Sequence, residues 1–295
     1  MKLTRSMMSM RAPYHWWSTI LWALGIFFGS SILTSFIAIP ILVFASSITD
    51  INELMQGDYL FFLNMAVFPV TLMFLLLCNR YVYQHPQQAL GFYKKDLVKK
   101  YGLGALIGIA LIVIVFIFNL IAGAITTTFN PNHSVLMIIF MILAFGVQGL
   151  TEEVLARGFI MNKTAKQIGV PAAIIINSLF FSALHLLNPG VDAISTFNLF
   201  LAGVMFSLLF YWSDNIWLTG AAHSLWNIML GVILGSEVSG MRLDHTLFIT
   251  QFDQQHIFLN GGHFGFEGGI FTTIITLLFS SLLIYLIQKH HRNDI

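Results

Sequence analysis

Charge is what this chain has least of. Only 9% of its 295 residues are Asp, Glu, Lys or Arg, against about 25% in ordinary soluble domains. So sparse a supply cannot cover a water-exposed surface, which excludes a soluble enzyme. The 14 basic side chains nearly cancel the 13 acidic ones, so no polyelectrolyte signal is left to draw in nucleic acid. Cysteine occurs once, at Cys78, which excludes a disulfide framework and any cluster of several cysteine ligands. No internal repeat or low-complexity linker is visible. In contrast, 57% of the residues are hydrophobic and the mean hydropathy is +0.81. The expected fold is all-α: a polytopic membrane helix bundle forming a single transmembrane domain over residues 1–295.

A membrane helix needs about 20 apolar residues to cross the hydrocarbon layer. Eight segments meet or approach that length: Trp16 to Ser46, Tyr59 to Cys78, Tyr101 to Ile125, Ser134 to Phe159, Val170 to Leu187, Ser195 to Trp212, Ile216 to Leu234 and Gly269 to Ile287. Pro40 and Pro69 fall inside the first two and should kink them. Gly104 and Gly108 form a small-xxx-small pair that favours close helix approach. With a cytoplasmic N-terminus, 13 of the 14 Lys and Arg residues fall inside, including Lys163 and Lys166, and only Arg242 falls outside. The positive-inside rule then places both termini in the cytoplasm. Asp50 and Glu53 fall outside with most other acidic residues. The apolar run after the N-terminal basic residues is too long for a signal peptide. Tyr14, His15, Trp16 and Trp17 suit an interfacial anchor instead. The loop from Gly235 to Gly268 is the one sizeable extramembrane segment, and its glycine-rich stretch from Asn260 to Gly269 reads as a mobile loop, a tether. The location implied is a cell membrane, multi-pass, as in the plasma membrane of a bacterium.

Ionisable groups in hydrocarbon are costly and usually functional. Inside the expected spans they reduce to Glu152, Glu153, Arg157, His185 and His223. Glu153 and Arg157 are four apart, so they share a helix face and can pair. Glu152 is five from Arg157, rotated about 140° away, and is left to face something else. Beside a water it becomes a general base. Phe181 and His185 share a face, as do His223 and Asn227. Phe181 reads as packing. A carboxylate, two imidazoles and an amide donor are the parts of water-mediated amide hydrolysis. Without a metal, Glu152 and His185 would activate water while His223 and Asn227 stabilise the oxyanion. With one, Glu152, His185 and His223 could form a His₂Glu zinc set, and Glu153 is a conceivable ligand. No cofactor is strictly required, and zinc is the alternative.

Glu-Glu-x-x-x-Arg at 152–157, Phe-x-x-x-His at 181–185 and His-x-x-x-Asn at 223–227, in this order, resemble the CAAX-protease and bacteriocin-processing family, also called Abi or CPBP. The family contains the Rce1-type prenyl-protein endopeptidases. The resemblance implies an eight-helix intramembrane protease whose catalytic core lies at 134–235. It makes Glu152 the water-activating glutamate, His185 its partner, and His223 with Asn227 the oxyanion site. Both metalloprotease and metal-independent glutamate mechanisms have been discussed for such proteins. The implied partners are the lipid bilayer and a membrane-associated or prenylated peptide or protein approached from the cytoplasmic side, with no nucleic acid. Implied roles are CAAX processing, peptide pheromone maturation or bacteriocin self-immunity. Two rival classes are a proton-coupled transporter, against which the missing inverted repeat speaks, and a non-catalytic immunity or scaffold protein.

One expectation conflicts with the rest. Counted at about 1.5 Å per residue, Glu152 lies roughly 16 Å from Lys163 and His223 roughly 13 Å from Asp214. His185 lies roughly 24 Å from Gly169, nearer the opposite face. Unless the helices bring these depths level, the site does not assemble.

Overall fold

The computed structural model describes residues 1–11, 15–46 and 57–293. Tyr14, Asp50 and Glu53 lie outside the described residues. The apolar runs form helices, and few other elements occur. A short α1 (Arg5–Met8) precedes α2 (Trp16–Ser46) and α3 (Gly57–Leu77), which runs on through a π-helical turn to Val82. Then come α4 (Leu97–Ile121) and α5 (Val135–Glu153). A π-helical stretch, Val154–Met161, joins α5 to α6 (Asn162–Ile168). There follow α7 (Val170–Ala183), α8 (Ala193–Ser213), α9 (Ile216–Asn227), continued by a π-helical segment to Ile233, one helical turn at Ile257–Asn260, and α10 (Ile270–Asn293). Among the described residues, seven helices, those containing α2, α3, α4, α5–α6, α8, α9 and α10, are long and apolar enough to cross a membrane. This is a multi-pass membrane protein.

The expected fifth span, Val170 to Leu187, needs correction. Helix α7 has 14 residues and stops at Ala183, too short to cross alone. His185 explains part of the stop: its Nδ1 lies 2.9 Å from the Phe181 carbonyl. The ring thereby caps one of the carbonyls that a helix end leaves unpaired. Pro189, which cannot continue a helix, follows. Residues 184–192 complete the passage, and the Asn188 carboxamide reaches the Ser239 carbonyl at 2.9 Å.

Two features bind the bundle. At one end, Ser6 is fully buried in α1; its hydroxyl donates to Asp214 Oδ1 at 2.5 Å and accepts from Asn162 Nδ2 at 3.0 Å. Met7 and Met10 are buried beside it, so the N-terminal segment is packed into the bundle. Lys163, expected among the loop charges, is instead in α6, 2% exposed, with its ammonium over the faces of Tyr83 and Phe159. Further along, glycines set helix separation. A Cβ on Gly104 or Gly108 would run into the backbone carbonyls of Leu218 and Ala222 of α9. The small-xxx-small pair is thus a close approach of α4 to α9. Gly149 of α5 meets Ser224 from another side, where a Cβ would lie 2.6 Å from its hydroxyl.

The segment from Gly235 to Gly268 is not a loose tether. Its strand β2 (Phe248–Phe252) pairs antiparallel with β1 (Ile125–Phe129), so the third helix ends at Ile121, before the expected Ile125. Asn260 is fully buried, its amide donating to the Ala124 and Asp253 carbonyls at 2.8 and 3.0 Å. Gly261 turns the chain at φ +87°, where a Cβ would strike the Gly265 carbonyl. Phe264 and Phe266 are buried under the turn. Burial of these aromatics and the pairing of backbone groups order what composition alone presented as flexible. This loop end and the end bearing α1 are opposite ends of the bundle.

Candidate active site

The depth conflict resolves in the way α6 ends. The helix that carries Glu152 runs on past Lys163 to Ile168 before Gly169 turns the chain. Glu152 is 16 residues before Ile168, and His185 is 16 residues after Gly169. The two arms have the same number of residues, and both side chains line the same cavity. A second register places His223. Asn162 and Asp214 both hydrogen-bond to Ser6 and so are level with each other. Nine residues along each helix from there, about 13 Å, are Glu153 and His223, and these touch.

Two hydrogen-bonded chains meet at this level. In the first, fully buried Arg157 donates through Nη1 to Glu153 Oε1 at 2.7 Å and through Nη2 to the Gly203 carbonyl at 3.0 Å. The rings of Phe181 and Phe206 lie 4.9 and 5.5 Å from its guanidinium carbon, a cation–π enclosure. His223 Nδ1 donates to the same Glu153 Oε1 at 2.9 Å. Glu153 therefore orients the imidazole as well as pairing with Arg157, a role its spacing did not reveal. Phe206 stacks on His223 at 4.9 Å between centroids. The π-helical stretch begins one residue after Glu153, and such bulges recur at functional sites.

In the second chain, Asn227 Nδ2 donates to Gln148 Oε1 at 2.8 Å, and Gln148 Nε2 donates to Glu152 Oε1 at 2.5 Å. Gln148 carries no charge, so its place beside the ionisable groups is not visible to a search for charge. Its i,i+4 spacing from Glu152, on an otherwise apolar helix face, was the available signal. The chains meet where His223 Nε2 faces Glu152 Oε2 at 3.7 Å, too far for a direct hydrogen bond. Glu152 Oε2 is buried without a hydrogen-bond partner.

Glu152, His185, His223, Asn227 and Gln148 all line one cavity of about 590 Å³. His185 stands away from both chains. The Phe181 ring lies beside it, with centroids 4.9 Å from His185 and 6.0 Å from His223. The three side chains of the zinc alternative, Glu152, His185 and His223, all line this cavity. Among the described residues no three His, Cys, Asp or Glu side chains are grouped to hold a metal ion. Both imidazoles have committed Nδ1 to protein oxygens, which turns Nε2 of each toward the cavity, and Gln148 holds one oxygen of Glu152.

Residues 133–229 match the Rce1-like family, type II CAAX prenyl endopeptidases. The match spans about a third of the chain and contains every residue of both hydrogen-bonded chains. It agrees with the family that the three motifs resemble, and at family level it carries an endopeptidase activity on membrane-associated substrates. No curated protein and no solved structure matches the chain.

The cavity also has a direction. Its walls reach the loop end through Gly57, Asn188, Pro189, Ser239, Gly240 and Arg242. Toward the other end lie the Ser6, Asn162 and Asp214 contacts and the buried α1. Inside, apolar residues predominate, among them Phe61, Met65, Phe180 and Trp226.

Proposed function

We propose that this protein is an intramembrane endopeptidase of glutamate type, hydrolysing a peptide bond in a membrane-associated protein or peptide. The observation that carries the reading is the convergence of the two hydrogen-bonded chains at Glu152 and His223, on the wall of one apolar cavity. Glu152 and His185 activate the water, and His223 with Asn227 receives the oxyanion. Gln148, Glu153 and Arg157 position them.

The protonation pattern follows from the partners. A carbonyl only accepts, so His185 Nδ1 carries a hydrogen toward Phe181, and Nε2 is the ring nitrogen that meets the water. Glu152 Oε1 is occupied by Gln148, so the partnerless Oε2 is its basic atom. Water between these two groups gives a proton to Glu152 as its oxygen attacks the scissile carbonyl carbon. The oxyanion accepts from protonated His223 Nε2 and from the second N–H of the Asn227 amide. When the intermediate collapses, the C–N bond breaks and the proton held by Glu152 passes to the leaving amine. Water and one amide become one acid and one amine.

The basic end of the bundle, with both termini, is cytoplasmic in this reading, and the membrane is the plasma membrane of a bacterium. The substrate then reaches the cavity from the opposite face rather than from the cytoplasm. The apolar walls suit a lipid-modified, for example prenylated, peptide. The test is cleavage of a quenched membrane peptide by purified protein in proteoliposomes. Glu152→Gln and His185→Ala should each abolish turnover while leaving the protein folded. Cleavage at the wild-type rate by both variants refutes the reading.

A further inference from the structure

Arg242 is the one Lys or Arg between Lys166 and Lys289. It is also the one basic side chain, histidines aside, among those lining the cavity. It is exposed, and among the described residues no carboxylate lies within ion-pair distance of it. Of the acids near it, Glu267 is already engaged, and Glu237 has a buried Oε2 outside any hydrogen bond. Glu267, also in the wall, accepts from Trp226 Nε1 at 3.0 Å through one oxygen. Its other oxygen accepts from the Ser239 amide at 2.7 Å and the Ser239 hydroxyl at 2.9 Å. Glu237 feels the charge of Arg242, but burial outweighs this and pushes its carboxyl above the usual range. Three fixed contacts hold the segment on either side of Arg242. Val238 and Met241 pair through their backbones, the Gly240 amide donates to the Phe264 carbonyl, and His245 reaches Asp58 of α3 at 3.2 Å.

A cation without an ion-pair partner, on a braced turn at the mouth of an apolar cavity, is built to receive an anion. A guanidinium presents paired donors that match the two oxygens of a carboxylate. We propose that Arg242 is a specificity-determining residue that binds a carboxylate of the substrate peptide at the cavity mouth while the scissile bond lies against Glu152 and His223. The carboxylate is either the free C-terminus of the peptide or an Asp or Glu side chain on the departing segment. This rests on the endopeptidase reading for its substrate class but not for its readout, since recognition can be measured without turnover.

The experiment uses full-length protein in nanodiscs and four fluorescent membrane peptides. They end in a carboxylate or a carboxamide, and carry Asp or Asn near that end. Affinity is read on the Glu152→Gln background, and cleavage on the wild type. The expected result is about tenfold tighter binding of one carboxylate form over its neutral match, or about 1.4 kcal/mol. Arg242→Gln should erase that preference, leaving neutral peptides bound as before, and Arg242→Lys should keep part of it. In cleavage, the loss should fall on KM rather than kcat. Dependence on the terminal group assigns the C-terminus, and dependence on Asp assigns a side chain. Equal binding of all four peptides by the parent protein overturns the proposal. So does an equal loss on charged and neutral peptides in Arg242→Gln. If the carboxylate preference holds but no peptide is cleaved, the endopeptidase reading fails while the recognition site stands.

Discussion

Glu153→Gln is the most informative single substitution, because one oxygen atom serves two partners. Glu153 Oε1 accepts from Arg157 Nη1 at 2.7 Å and from His223 Nδ1 at 2.9 Å, and Glu153 and Arg157 are both fully buried. Hydrogen bonds to charged groups contribute about 1.5–3 kcal/mol each. Removing one partner of a buried ion pair costs about 3–5 kcal/mol, since the other charge is left stranded. The two routes agree on a loss of about 3–5 kcal/mol. The Gly203 carbonyl and the Phe181 and Phe206 faces still hold Arg157, which keeps the loss toward the lower figure. Activity should fall much further. A glutamine cannot stabilise the imidazolium of His223, and the analogous loss of a carboxylate behind a catalytic histidine costs about 10⁴-fold in serine proteases.

Stability and activity come apart in the double variant Glu153→Gln with Arg157→Met. Replacing both charges by neutral groups of similar size removes the desolvation cost along with the attraction, and is often neutral. Unfolding midpoints in detergent should return close to wild type, while peptide cleavage stays low, because His223 still lacks its carboxylate. Full recovery of cleavage in the double variant would show that Glu153 serves Arg157 alone. A Glu153→Gln variant with wild-type stability and rate would refute both halves of the reasoning.

Three further outcomes follow from particular contacts. Gln148→Leu cuts the link between Asn227 and Glu152, so kcat should drop about 10²-fold, within the range for a misplaced catalytic group, with KM little changed in a titration of the same peptide. Gly108→Ala pushes on the Ala222 carbonyl next to His223 and should cost about 1–3 kcal/mol by overpacking. Gly102→Ala, with nothing within 4 Å of its Cβ, is the control, and thermal unfolding of the pair decides. Beyond the spans, burial and then the charge of Lys163 hold His85 down to about 4, and its Nε2 accepts from the Arg11 amide at 2.8 Å. Its folded value lies below the unfolded one of about 6.5, so its contribution is complete above pH 6.5 and is lost as pH falls from there toward 4. The slope is at most about 1.4 kcal/mol per pH unit and is reduced by screening near the membrane surface. Unfolding midpoints between pH 7 and 5 should fall in the wild type and flatten in His85→Asn.

What could be read from the chain was local. Glu153 and Arg157 pair because four positions make one helix turn, and that arithmetic needs no partner helix. The close approach of Gly104 and Gly108 was legible for the same reason, although the backbone they meet, Leu218 and Ala222, was not. Gln148 shows the limit of searching for charge alone. It sits one turn before Glu152, yet its second partner, Asn227, comes from a helix 79 residues away. The order of the 235–268 segment was hidden because glycine content speaks for freedom, whereas Asn260, Phe264 and Phe266 settle the matter through contacts with distant backbone and core.

The placement of His185 shows how a correct count can still mislead. Counted from Gly169, it lies about 8 Å deeper than Glu152 counted from Lys163. The reference is what misleads: a charged residue such as Lys163 suggests the membrane surface. In the structure it is a buried residue whose ammonium rests on aromatic faces, five residues short of the helix end at Ile168. Cation–π contact and a long alkyl stem let a lysine lie below the surface that its charge suggests. A positive residue therefore identifies the side of a membrane better than it identifies the depth. Depth is set by where the helix ends, and here the Gly169 turn gives Glu152 and His185 arms with the same number of residues. Removing or adding residues between Lys163 and Gly169 would rotate and shift α7 against α5 and separate the two side chains without touching either.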